Sequence, residues 1–190
     1  AVFIHQALKL LVISVLRGGT ENVDVNYASA CQISVLNTPG RNARAVAECT
    51  MALILGEVRN VARGHARLMG GEWTRLFPNR DEIPELYGKT VGLVGCGAVG
   101  RLVAGYLQAF GSTVVVYDPC LTEAPAGVEV LDLEALLRRA DVVSLHARLT
   151  AENHHMIGAK QLGWMKPSAV LVNTARSGLI DEAALVQALQ

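Results

Sequence analysis

The stretch Val91-Gly92-Leu93-Val94-Gly95-Cys96-Gly97-Ala98-Val99-Gly100 limits the folds open to this chain more than any other. A β-branched run leads into G-x-G-x-x-G, and an apolar pattern of helical period begins at Ala98. Strand, glycine turn and helix in that order open a dinucleotide-binding βαβ unit. Gly95 permits the tight turn, Gly97 lets the main chain approach a pyrophosphate, and Gly100 lets helix pack on strand. The free N–H groups and positive dipole end of the helix attract the anion. A bare glycine pattern is weak evidence, because a turn of no function also satisfies it. Tyr117-Asp118 strengthens the pattern, since Asp118 stands eighteen residues after Gly100, where an acid accepts hydrogen bonds from the adenosine ribose. With no Arg or Lys adjacent to Asp118 to receive a 2′-phosphate, the implied cofactor is NAD.

The rest of the second half repeats this alternation. Residues 91–94, 114–117, 142–145 and 169–173 are short β-branched runs, separated by helical patterns over about 98–110, 133–139 and 153–162. Such spacing predicts an α/β fold, a Rossmann-type doubly wound parallel sheet over residues 87–190. Residues 1–86 read as a different region. Apolar runs at 10–15 and 33–36 flank a helical stretch at about 23–31, a β-α-β beginning. After the turn Thr38-Pro39-Gly40, residues 42–69 contain no Pro and predict one helix of ~42 Å. Its first half is apolar almost all round, so it should be covered on several sides. Arg59, Arg63 and Arg67 form an i, i+4, i+8 row that reads as a solvated face. Residues 70–87, with Gly-Gly and two Pro, are the expected linker.

Composition narrows the function classes. Seventeen Lys and Arg balance seventeen Asp and Glu over 190 residues, leaving no excess charge to hold nucleic acid or an anionic membrane. Half the residues are apolar (51%) and only 18% are charged, which excludes a disordered chain. The apolar run at 10–16 is far short of the ~20 residues that span a bilayer, and the first residues lack a signal-peptide pattern. The expected location is cytoplasmic. Cys31, Cys49, Cys96 and Cys120 show neither metal spacing nor a disulfide framework, so reduced thiols and no metal site are expected. The chain has no initiator Met, and residues 181–190 form a helical pattern without a C-cap Gly, which reads as part of a longer chain.

Other candidate residues follow the β-runs. His146 and Thr150 come after 142–145, and Thr174, Ala175 and Arg176 after 169–173, where open α/β sheets bind ligands. Arg176 can fork two N–H donors onto a carboxylate, or it can cap the strand end through surface acids. Arg17-Gly18-Gly19-Thr20 after the first run can hold a small anion on its backbone N–H groups, and it reads equally well as a plain turn. His65 sits in the Arg row, and His154 and His155 begin a helical stretch, so no general base is assigned among them.

Taken together, Arg17-Gly18-Gly19-Thr20-Glu21-Asn22-Val23-Asp24, Asn37-Thr38-Pro39-Gly40, Ala45-Val46-Ala47-Glu48, Gly71-Glu72-Trp73, the glycine fingerprint, Tyr117-Asp118-Pro119, His146-Ala147-Arg148-Leu149-Thr150, Met165-Lys166-Pro167 and Asn173-Thr174-Ala175-Arg176-Ser177-Gly178-Leu179-Ile180-Asp181-Glu182 carry a resemblance. The chain resembles the NAD-dependent D-2-hydroxyacid dehydrogenases, in particular their D-3-phosphoglycerate dehydrogenase-like members. The resemblance implies an oxidoreductase that moves a hydride between NAD(H) and C2 of a small D-2-hydroxy or 2-oxo acid, with 3-phosphoglycerate among the candidates. It implies catalytic Arg176, a substrate carboxylate held by Arg17, Gly18, Gly19 and Thr20, and cofactor contacts from Gly95, Gly97, Ala98, Val99, Gly100, Asp118, His146, Thr150, Thr174, Ala175 and Arg176. It implies that residues 1–86 belong to a flavodoxin-like substrate domain with an interdomain helix at a homodimer interface. The acid/base His and its Glu partner are expected beyond Gln190. Arg148 replaces the family's usual Pro at the cofactor rim, and Ser168 and Ser177 stand where Gly is usual. A second reading, an NADH-sensing corepressor-like assembly module, shares the same resemblance.

Overall fold

The computed structural model describes residues 2–7, 9–74, 76–77, 79 and 85–190. Residues 75, 78 and 80–84 of the expected linker lie outside the described residues. The chain divides into two compact units, Ala1–Arg44 and Ala45–Gln190.

The first unit contains helix α1 (Val2–Gln6), strand β1 (Val12–Val15), helix α2 (Val25–Ala30) and strand β2 (Ser34–Asn37). The two strands pair in parallel, Val12 opposite Ser34 and Val15 opposite Asn37, which requires the helical crossover between them. Asp24 caps α2 by accepting from the Tyr27 N–H at 2.9 Å, as its short acceptor side chain favours. Ile4, Ala28 and Ile33 form the buried centre of this unit.

The 28-residue helix expected at 42–69 is two helices, α3 (Ala43–Val58) and α4 (Val61–Met69). Asn60 breaks it by taking the left-handed conformation, φ 54°, a region that Asn enters more readily than most residues. Its amide is fixed by the Asn79 side chain at 2.6 Å and by Arg63 at 3.0 Å, while Asn79 donates to the Glu57 carbonyl at 2.8 Å. The broken turn is thereby held by side chains where a helical hydrogen bond is lost. The Arg row is broken with it: Arg63 pairs with Glu57 at 2.6 Å and Arg67 with Glu72 at 2.5 Å. One stripe of α3, Ala47, Met51, Ile54 and Val58, is buried in the core of the second unit. Leu53, off that stripe, is 49% exposed, so the chain itself covers one side of the helix and not several.

Beyond α4 the second unit runs β3 (Thr90–Val94), α5 (Ala98–Ala109), β4 (Thr113–Tyr117), β5 (Glu129–Val130), α6 (Leu133–Arg139), β6 (Val142–Leu145), α7 (Ala159–Leu162), β7 (Val170–Asn173), a 3₁₀ turn at Ser177–Leu179 and α8 (Glu182–Ala188). All five strands are parallel, in the order β5-β4-β3-β6-β7. That is the doubly wound order, with the chain reversing direction across the sheet at β3 and β6. Alternation along the strands divides the core in two. Val91, Leu93, Val114, Val116 and Val142 meet α5 and α3 on one face, and Val94, Val115, Val143 and Leu145 meet α6 on the other. On this second face Gly92 leaves room for Leu136, whose Cδ2 lies 2.5 Å from where a Cβ would stand.

Asp132 and Asp181 cap α6 and α8 by accepting from the Ala135 and Ala184 N–H groups. The helix expected over 153–162 shrinks to α7. Asn153 turns its side chain back onto the Thr150 N–H and the Arg148 carbonyl, His155 adopts φ 56°, and Ile157 forms a parallel bridge with Ile180. These bonds compete with helix until Ala159. Among the described residues no helix is long and apolar enough to cross a membrane.

Candidate functional site

The carboxyl edge of the large sheet collects the candidate residues by register. Val94 lies opposite Tyr117 and Leu145, and Leu145 opposite Asn173. The residues that follow these four, Gly95, Asp118, His146 and Thr174, therefore leave the sheet along one line at the crevice of the switch point.

The three glycines play different parts there. Gly95 has φ +98°, and a Cβ on it would lie 2.6 Å from the Ala147 nitrogen, so the glycine turn packs directly on the loop after β6. Gly100 faces back into the turn, where a Cβ would lie 2.4 Å from the Gly95 carbonyl oxygen. Gly97 instead faces open space, with no protein atom within 4 Å of its missing Cβ. It is the N-cap of α5 and has no side-chain cap, so the first N–H groups of a twelve-residue helix open onto that space. Ala98 is exposed there and Val99 packs half-buried against the core. An uncapped N-terminus with a cleared approach suits a pyrophosphate.

Asp118 is already oriented. Its Oδ2 accepts from the Cys96 N–H at 2.8 Å and its Oδ1 from the Cys120 N–H at 2.9 Å. Each carboxylate oxygen keeps a second lone pair for a ribose hydroxyl. The sequence reading missed Arg101, whose guanidinium donates to the Glu123 carbonyl at 2.8 Å and clasps the loop after β4 onto α5. Gln108, two turns on, does the same to the Ala126 carbonyl at 2.7 Å. The only local signal was an Arg directly after the third glycine. Burial pushes the Cys96 thiol pKa up, with Arg101 opposing and Asp118 adding to the rise, so the thiol in the glycine turn is protonated and inert.

On the other side of β3, the imidazole Nε2 of His146 lies 3.0 Å from the Ser144 hydroxyl. Burial pushes its pKa down to about 4, because a desolvated imidazole disfavours its charged form. At neutral pH this ring is uncharged, with one ring nitrogen a donor and the other an acceptor. Thr150 is exposed at the end of the same loop, which Asn153 staples.

After β7, Asn173 holds the turn that carries Arg176. Its side chain accepts from the Ala175 N–H and donates to the Arg176 carbonyl, both at 2.9 Å. Arg176 is exposed, and its Nη1 donates to the Ala175 carbonyl at 2.9 Å. Ala175, half-buried, packs against the core on the α6 face of the sheet. Thr174 meets Thr50 of α3, hydroxyl to hydroxyl, at 2.8 Å. Thr50 was not singled out in the sequence, although a lone hydroxyl in an otherwise apolar helical run is a visible signal.

Arg17, Gly18, Gly19 and Thr20 lie in the first unit, directly after β1. Their turn is packed on the loop after β2: the Asn37 amide donates to the Gly18 carbonyl at 2.6 Å and the Thr38 N–H to the Arg17 carbonyl at 3.2 Å. The Arg17 guanidinium reaches Glu21 and Asn22.

Residues 51–190 match the family model described as D-isomer specific 2-hydroxyacid dehydrogenase, NAD binding domain. The D-3-phosphoglycerate dehydrogenase of Methanocaldococcus jannaschii is 42% identical over 191 residues, which is 98% of this chain and 36% of that protein. The hydroxypyruvate reductase of Thermotoga maritima is 41% identical over 169 residues, 89% of this chain and 54% of the relative. The crystal structure of D-lactate dehydrogenase from Aquifex aeolicus complexed with NAD and lactic acid superposes with a TM-score of 0.86 at 33% identity, covering 96% of this chain and 55% of that one. The chain thus spans between about a third and somewhat over half of these relatives' lengths.

Proposed function

This chain belongs to the D-isomer-specific 2-hydroxyacid dehydrogenase family, and from that premise we propose that the protein reduces a small 2-oxo acid to the D-2-hydroxy acid with NADH, and catalyses the reverse with NAD. The observation that carries the reading is the cleared, uncapped helix start at Gly97 on the same sheet edge as Asp118 and Arg176. When bound, NADH supplies the hydride.

The chain's own groups bind and orient. The α5 N-terminus with Gly95, Gly97, Ala98, Val99 and Gly100 takes the pyrophosphate, and Asp118 takes the adenosine ribose. His146, Thr150, Thr174, Ala175 and Arg176 border the nicotinamide half. The Arg176 guanidinium forks onto the substrate's carboxylate and carbonyl, and stabilises the oxygen on which negative charge develops. The backbone of Arg17, Gly18, Gly19 and Thr20 is assigned to the substrate carboxylate on the family resemblance. His146, neutral and half-buried beside Ser144, is assigned a packing and hydrogen-bonding role at the cofactor.

Residues 1–86 are assigned to the substrate domain and 87–190 to the NAD-binding domain. We place the protein in the cytoplasm, a reading that its four free cysteines support. A homodimer is supported by exposed apolar groups on α3, α4 and just after, namely Leu53, Val61, Leu68, Met69 and Trp73, which a second copy would cover. No observation favours the corepressor-like assembly module.

The test is NADH oxidation with phosphohydroxypyruvate, hydroxypyruvate and glyoxylate by a protein that also carries the acid/base His and Glu expected beyond Gln190, since the alkoxide left by hydride addition needs a proton. Turnover of at least one is expected, and residues 1–190 alone should show little or none. Arg176→Ala should lower kcat/KM by ~10² or more with little change in NADH affinity, and Arg176→Lys should recover part of the loss. An Arg176→Ala variant with near-normal turnover would remove Arg176 from the catalytic role.

A further inference from the structure

The hydroxyl pair joining α3 to the carboxyl edge can be accounted for proton by proton. Thr50 Oγ1 lies 2.8 Å from the Val46 carbonyl oxygen and 2.8 Å from Thr174 Oγ1. Two oxygens at that separation need a hydrogen between them. A carbonyl has none to give, so the single hydroxyl proton of Thr50 must lie on the Val46 contact. The contact between the two threonines is then bridged by the proton of Thr174. Thr50 is fully buried and cannot relieve this arrangement by turning to water. Thr174 has therefore spent its only donor on Thr50, and what it can offer elsewhere is lone pairs.

We propose that Thr50 is a positioning residue for the cofactor. It fixes the Thr174 hydroxyl as a pure hydrogen-bond acceptor, matched to a donor on the nicotinamide riboside half of NAD(H). This rests on the dehydrogenase reading above. The placement follows from the sheet. With the pyrophosphate at the β3 turn and the adenosine ribose at Asp118 after β4, the remaining half of the dinucleotide extends over β6 and β7. Thr174, after β7, is three strand spacings from Asp118, ~14 Å, and two residues before Arg176. The donors available on that half are the carboxamide N–H₂ and the ribose hydroxyls. An acceptor held in one orientation favours the group that donates to it and rejects a group that only accepts.

The experiment compares wild type, Thr50→Val and Thr50→Ser by dissociation constants, measured by fluorescence or calorimetry, for NADH, for the reduced 3-acetylpyridine analogue and for ADP. The analogue replaces the amide N–H₂ with a methyl group, and ADP lacks the nicotinamide riboside altogether. Thr50→Val is isosteric, keeps the packing of α3 and frees the Thr174 proton. It should weaken NADH binding about fivefold, leave ADP unchanged, and be rescued by Thr50→Ser. If the carboxamide is the donor, the acetylpyridine analogue should bind wild type and Thr50→Val alike. If a ribose hydroxyl is the donor, the analogue should weaken in parallel with NADH. Thr174→Val carries the same test by removing the acceptor itself, should Thr50→Val not fold. Unchanged NADH affinity in a folded Thr50→Val protein would overturn the proposal, as would equal weakening of ADP. Failure of wild type to bind NADH would instead overturn the dehydrogenase reading on which it rests.

Discussion

Gly97 and Gly100 are three residues apart in one motif, and exchanging each for alanine should give opposite results. At Gly100 the new Cβ would stand 2.4 Å from the Gly95 carbonyl oxygen, against an ordinary carbon–oxygen contact of about 3.3 Å. Neither atom belongs to a flexible side chain, so α5 must move off β3 by nearly an ångström, or the glycine turn must open. Overpacking of this kind costs ~2 kcal/mol. For a chain of this size that lowers Tm by roughly 4–8 °C. At Gly97 the Cβ meets no protein atom within 4 Å, and φ is −76°, a value alanine adopts without strain. Tm should stay within about 2 °C of wild type. The methyl group would instead stand in the space through which a pyrophosphate reaches the helix N–H groups, and NADH should bind at least ~10-fold more weakly, about 1.4 kcal/mol. Differential scanning fluorimetry without ligand and an NADH fluorescence titration separate the two effects. A Gly97→Ala protein with wild-type NADH affinity would refute the assignment of that space to the anion. A Gly100→Ala protein with unchanged Tm would refute the tight helix-to-turn approach.

Cofactor choice should follow Asp118, whose carboxylate, held by the Cys96 and Cys120 N–H groups, is assigned to the adenosine ribose. NADH should bind well ahead of NADPH, and Asp118→Ala should narrow the gap; equal dissociation constants in wild type would be the contrary result. The low pKa of His146 also makes stability depend on pH. The unfolded imidazole takes up a proton near pH 6.5 while the folded one resists until about 4, so the unfolded state binds more protons between these values and stability is lost as pH falls through that window. The loss attributable to this ring is at most about 3 kcal/mol. His146→Gln should therefore show a smaller drop in Tm between pH 7 and pH 5 than wild type does, and parallel curves would place the pH dependence elsewhere.

The local half of the site was readable because its requirements are local. A glycine where φ is positive, a glycine where two backbones touch and an acid at the end of the next strand each leave a residue type at a set spacing, and the four β-branched runs placed β3, β4, β6 and β7 to within a residue. What escaped the reading depends on partners distant in sequence. Asn60 tolerates the left-handed conformation that ends α3, but an Asn within a helical run does not compel it; Asn79 and Glu57, which hold the turn, decide it. Residues 153–158 precede a helix that starts at Ala159, but Asn153 and the bridge from Ile157 to Ile180 take their backbone groups for other bonds. Strand β5 is two exposed residues, too short for any period to show. Thr50 and Thr174 are separated by most of the chain, and their pairing exists only once α3 lies against the sheet.

The row formed by Val94, Tyr117, Leu145 and Asn173 also sets the order in which a binding-competent state can arise. Each neighbouring pair is parallel, so each requires a complete crossover to close before its first hydrogen bond forms, and long-range parallel pairing is intrinsically slow. No hairpin within the large sheet can present Gly95 beside His146, or Thr174 beside either. Dinucleotide affinity should therefore emerge late in refolding, together with β7 and not with the glycine turn, even though that turn is a short stretch of chain. A ligand that engages the whole edge also binds only the fully paired sheet, so its mass-action stabilisation should reach all four strands at once. Hydrogen exchange with and without NADH should show protection rising together in β3, β4, β6 and β7, although the glycine turn touches the ends of only some of them.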